Sequence, residues 1–65
     1  MIWVLTKEYN DYRQHGEYYV KAWTHQPTPA ELMAHGVPDW EVDHVLKGGG
    51  RNGIDDEWFN LNTER

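Results

Sequence analysis

The sequence predicts one small α+β domain over residues 1–65: a three-stranded, mainly antiparallel sheet with two short helices on one face, in the order β-β-α-α-β. Three observations lead there. Runs rich in Ile, Val, Tyr and Trp alternate with a period of two near both ends of the chain. Two segments between them carry helix start and stop residues. A chain of 65 residues without cysteine has room for one core and lacks the residue needed for a disulfide or a thiolate–metal staple.

In residues 2–6, Ile2, Val4 and Thr6 lie on one face and Trp3 and Leu5 on the other. Both faces are largely apolar, which suits a strand in the middle of a sheet or covered on both sides. Residues 8–16 are polar and include Asn10, Asp11 and Gly16, and read as a long hairpin loop. Residues 17–24 read as the second strand, antiparallel to the first. Strict alternation puts Tyr19 and Trp23 on one face and Tyr18, Val20 and Ala22 on the other. Thr28-Pro29-Ala30-Glu31 is the clearest local signal. Thr28 can cap a helix, Pro29 suits its first position, and Glu31 can reach back to the Thr28 amide. Gly36 can end that helix in the left-handed conformation, with Leu32 and Met33 as its buried side chains. Pro38-Asp39-Trp40-Glu41 opens a second helix with Asp39 as the expected cap. Val42, Val45 and Leu46 share an apolar stripe, and Gly48 stops it. Residues 48–53 form a glycine-rich connection. Residues 57–62 alternate around Trp58, Phe59 and Leu61 and read as the third strand, of undetermined direction. Neither a repeat nor a linker interrupts the chain.

A domain of this size buries only about 60% of its unfolded surface. The 4 Trp, 4 Tyr and 1 Phe are therefore expected to supply much of the core. The net charge of −5 argues against ordinary nucleic-acid binding, in which basic side chains replace phosphate counterions. The first residues lack a basic region followed by a long apolar run, and no apolar run approaches the roughly 20 residues that span a bilayer. The expectation is a soluble, cytoplasmic chain with no membrane partner.

Three groups of residues resemble a known set of proteins. They are the opening strand with its Glu-Tyr-Asn-Asp-Tyr sequence (residues 4–12), Gly16-Glu17-Tyr18-Tyr19, and Gly48-Gly49-Gly50-Arg51 followed by Glu57-Trp58-Phe59-Asn60-Leu61. Together they resemble short uncharacterised accessory proteins encoded by tailed bacteriophages. The resemblance covers most of the chain and contains no catalytic signature. It implies a phage origin, a compact α+β fold and an accessory role in the host bacterial cytoplasm. It transfers no active residues.

Catalysis has little to draw on. With neither Cys nor Ser, the common nucleophiles are reduced to Thr and Lys, and a domain this small rarely encloses a pocket that tunes acid–base groups. His15, His25, His35 and His44 match no usual zinc spacing, although His35 and His44 lie close enough in sequence to meet between the helices. No metal and no cofactor is expected. The loop at residues 48–53 offers successive amides and Arg51 to an anion. However, it follows a helix and precedes a strand, the reverse of a phosphate-binding loop, and a plain connection is the simpler reading.

The acidic residues carry more information. From Ala22 to Leu46 there is no Lys or Arg, while Glu31, Asp39, Glu41 and Asp43 lie there, and Asp55, Asp56 and Glu57 form a second cluster. Acids near helix N-termini offset the dipole, which accounts for Glu31, Asp39 and Glu41 but not for Asp55 to Glu57. The functional alternative is steering of a basic partner or imitation of phosphates. Trp40 and His44 lie on the helix side away from Val42, Val45 and Leu46. Trp40 either packs over a neighbouring element, the simpler reading in a chain short of core, or anchors an interface.

The expected function is thus a non-catalytic protein-binding module acting on a host or defence protein, with Trp40, His44, Asp39, Asp43, Asp55, Asp56 and Glu57 as the partner-binding residues. An acidic anti-CRISPR-like or nucleic-acid-mimicking inhibitor is one concrete form. A homodimer through the aromatic sheet face is a further expectation. The runner-up is a single-stranded nucleic-acid binder using Tyr19, Trp23 and Lys21.

Overall fold

The computed structural model describes residues 1–11, 13–50 and 56–64. The elements are β1 (Ile2–Asp11), β2 (Gln14–Trp23), α1 (Pro29–Ala34), a 3₁₀ turn (Asp39–Glu41), α2 (Val42–Leu46) and β3 (Glu57–Glu64). The sheet order is β2-β1-β3 with both pairings antiparallel. The predicted α+β class, order and central first strand are all present, and β3 proves antiparallel to β1.

β1 and β2 are longer than the local pattern implies. Residues 8–11 and 14–16 belong to the ladder and not to a loop: Glu8 pairs with Glu17, Tyr9 with Gly16 and Asn10 with His15, and the pairing runs to Asp11 opposite Gln14. Pairing between strands satisfies the backbone whatever the side-chain polarity, so polar residues can sit on an uncovered face. Gly16 lets Tyr9 come close: a Cβ there would meet the Tyr9 hydroxyl at 2.6 Å.

The β1–β3 register is continuous from Ile2↔Glu64 to Tyr9↔Glu57. The β1–β2 register is not. It passes from Leu5↔Lys21 to Thr6↔Tyr19, which leaves Val20 as an extra residue. Such a bulge shifts the alternation by one. Directly opposed residues share a face, so Trp23 lies with Trp3 on one face and Tyr19 with Thr6 on the other. The expected grouping of Tyr19 with Trp23, and of Tyr18 with Ala22, is therefore overturned.

The helices cover the face that carries Trp3, Leu5 and Lys7. The core there contains Leu5, Trp23, Leu32, Val37, Val42, Val45, Phe59 and Leu61, with Trp3, Val20 and Leu46 packed against it. The largest fully buried side chains are Leu5, Leu32 and Val45. Trp23 and Phe59 contribute to it, but Tyr18, Tyr19 and Trp40 are exposed, so the core is more aliphatic than the composition suggests.

Both helices are short and end in the same way. α1 begins with the predicted capping box: the Glu31 amide donates to Thr28 Oγ1 at 3.2 Å, and the Thr28 amide donates to Glu31 Oε1 at 3.0 Å. It ends with Gly36 at φ 98°, the Gly36 amide donating to Met33 and the Val37 amide to Leu32. Buried Leu32 and Val37 thus close the apolar contact of a Schellman ending. α2 repeats it, the Gly48 amide donating to Val45 and the Gly49 amide to His44. The chain then runs along β3: the Gly50 amide donates to the Phe59 carbonyl and the Leu61 amide to that of Gly48. Gly49 has φ 78° and its Cα lies against the Phe59–Asn60 backbone.

Two stability predictions follow from these positions. Leu5→Ala removes a fully buried side chain beneath both helices and is expected to cost about 2–5 kcal/mol. Gly49→Ala combines a left-handed backbone with a collision against the Phe59 carbonyl and is expected to cost more than Gly50→Ala, where the φ is also positive but space is open. Chemical denaturation of the three variants checks both, and equal losses for the two glycines would contradict the close approach.

Candidate functional site

The 3₁₀ turn at Asp39–Glu41 sets an indole on the surface. Pro38 precedes the 3₁₀ turn in an extended conformation, and no side chain caps its amides. Asp39, expected as a helix cap, therefore occupies the first position of a 3₁₀ turn instead. The tighter turn separates its neighbours: Glu41 is buried at 3% exposure and Trp40 projects outward at 55%. The expectation that Trp40 packs over a neighbouring element is overturned. Val42 and Val45 have taken the core positions, and a side chain two positions before Val42 points away from them. Asp39 and Asp43 are exposed near Trp40 in sequence.

His44 is exposed, and its Nε2 lies 2.9 Å from the Gly50 carbonyl oxygen. A carbonyl only accepts, so Nε2 carries the proton and donates. His44 thereby ties the end of α2 to the glycine segment. His35 instead meets the Trp23 ring edge-on, with centroids 5.6 Å apart. Among the described residues, no group of three His, Asp or Glu side chains is placed to hold a metal ion. The amides of Gly48, Gly49 and Gly50 all donate within the chain, which leaves that part of the loop no anion nest. Arg51, Asn52, Gly53 and Asp55 lie outside the described residues.

Beside the turn is a cleft of about 300 Å³ lined by Lys7, Gly36, Pro38, Glu41, Asp56, Glu57 and Phe59. The second acidic cluster thus reaches the turn through Asp56 and Glu57, whereas Asp39 and Asp43 do not line the cleft. Lys7 stands opposite Phe59 across the β1–β3 ladder. Its Nζ is 3.1 Å from Glu57 Oε2 and 5.4 Å from the Phe59 ring centroid. Nothing local in the sequence pairs Lys7 with Phe59, because 52 positions separate them; the continuous β1–β3 register does.

The aromatic platform expected from Tyr19, Trp23 and Lys21 does not form. Trp23 is buried under the helices, while Tyr19 is exposed on the opposite face. That open face carries a polar network instead. Glu8 Oε1 accepts from Trp58 Nε1 at 3.1 Å and from Asn60 Nδ2 at 2.9 Å, and Glu8 Oε2 lies 2.7 Å from His15 Nε2. Glu17 Oε2 accepts from the same Asn60 amide at 2.8 Å and from Thr6 Oγ1 at 2.9 Å. Two like charges directly opposite in a ladder repel, and the shared Asn60 amide offsets that repulsion. Sequence reading missed this network by placing Glu8 in a loop. Thr6, Lys7 and Glu8 are all polar, so no local alternation marks the strand there.

The Asn60 hydrogen bond, then those from His15 and Trp58, hold the Glu8 carboxyl below its ordinary value of 4.5. Glu31 is lowered likewise, chiefly by the Thr28 amide and then by His25. A carboxyl depressed on folding stabilises the native state above its unfolded value and loses that contribution as the pH falls through the folded one. The melting temperature is therefore expected to fall as the pH drops below about 4.5, and Glu8→Gln is expected to flatten that decline. An unchanged slope in the variant would remove Glu8 from the linkage. No described helix is long and apolar enough to cross a membrane. Neither a protein-family model, nor a curated protein, nor a solved structure matches this chain.

Proposed function

We propose that this chain is a small non-catalytic protein-binding module whose partner presents a basic surface. The observation that carries the reading is Trp40, 55% exposed and flanked in sequence by Asp39 and Asp43, in a stretch from Ala22 to Leu46 without Lys or Arg. Exposed Trp side chains act as interface anchors because they bury a large area with few rotamers to fix. The net charge of −5 favours encounter with a cationic partner. An accessory phage role, with a host or defence protein as the partner, is the form that the sequence resemblance implies. Direct binding of single-stranded nucleic acid is disfavoured by the open sheet face, where Glu8 and Glu17 share the surface with Tyr19 and repel phosphate.

Affinity capture from a bacterial lysate with the intact chain and with Trp40→Ala tests the proposal. Trp40→Ala is expected to change stability by no more than about 0.5 kcal/mol, as an exposed substitution, yet to lose the retained protein. Asp39→Lys with Asp43→Lys is expected to weaken capture at least tenfold through steering and register, and raised salt is expected to weaken it in the intact chain. Capture of the same protein, undiminished, by all variants would overturn the proposal.

A further inference from the structure

The cleft beside the 3₁₀ turn has a chemistry more specific than its charge. Its wall is the Phe59 ring, and a cation already sits on that wall: the Lys7 ammonium, 5.4 Å from the ring centroid and paired with Glu57 at 3.1 Å. A cation within about 6 Å of an aromatic face is attracted by the ring quadrupole. Asp56 and the buried Glu41 complete the lining with Gly36 and Pro38. About 300 Å³ accommodates one more long side chain. Pro38 and Glu41, which line the cleft, bracket the exposed Trp40 in sequence within the same turn.

We infer that this cleft receives an arginine side chain of the basic partner, its guanidinium lying on the Phe59 ring in place of the Lys7 ammonium and pairing with Glu57. The inference rests on the protein-binding reading above. Arginine fits better than lysine. Its planar group stacks on a ring, sheds water more readily and meets a carboxylate through two parallel hydrogen bonds. Lys7, 29% exposed and anchored on the central strand, swings aside at small cost. It acts as an internal competitor that neutralises the cleft until the partner arrives.

The test titrates the intact chain with blocked hexaarginine, hexalysine and hexacitrulline at low salt, following the Phe59 ring and Lys7 ε-methylene signals by NMR. Hexaarginine is expected to shift both saturably, hexalysine to bind more weakly, and hexacitrulline to leave them unmoved. Lys7→Gln is expected to tighten hexaarginine about three- to tenfold and Glu57→Gln to weaken it by a similar factor, the range of one partly exposed charge or cation–π contact. A folded Lys7→Gln chain that binds no tighter, or hexaarginine shifts confined to Asp39 and Asp43, would overturn the arginine site. A basic protein captured through Trp40 with an affinity indifferent to Lys7→Gln overturns this inference and leaves the binding function standing. Saturable Phe59 shifts with no protein captured overturn the partner reading alone.

Discussion

The fold depends on β1 being paired along both edges. Its ladders to β2 and β3 run almost its full length, and each of its faces has a different task. Leu5 closes the core beneath both helices. Thr6 and Glu8, one and three positions further along and so on the opposite side of the pleat, hold the polar network that links all three strands. A sheet of three strands is close to the minimum for independent stability. Hydrogen bonds among Glu8, Glu17, Asn60 and Trp58 therefore complement an apolar core that covers only one side.

The helical layer is held by its ends more than by its length. α1 has six residues and α2 five, too few for helix propensity to matter. Each is closed by a glycine in the left-handed conformation and a paired set of amide–carbonyl bonds. The second ending does more than stop a helix. It lays the backbone of residues 48–50 along β3, which covers part of that edge strand and fixes α2 to the sheet. Only glycine permits the approach at position 49.

The surface proposed for binding follows from the same economy of structure. Val42 and Val45 must reach the core from a helix of barely one turn. The preceding residues wind tightly as a 3₁₀ turn to deliver them, so Glu41 is carried inward and Trp40 outward. Once the turn is placed by α1 and β3, Pro38 and Glu41 stand opposite Lys7, Glu57 and Phe59 and form the cleft. Exposed aromatic and cleft are thus two consequences of one packing requirement.

Local chemistry by itself determined the class, the element order, the α1 capping box, the glycine stops and the candidacy of Trp40 and the acidic clusters. These signals act within a few residues, through capping, periodicity and backbone conformation. Tertiary structure alone decided the rest. The Val20 bulge parted Tyr19 from Trp23, and cross-strand pairing turned an apparent loop at Glu8 into ladder. The β1–β3 register set Lys7 over Phe59, and competition for a small core left Trp40 outside. Each of these depends on partners many positions away, whose meeting is fixed by register and burial and leaves no mark on the neighbouring sequence.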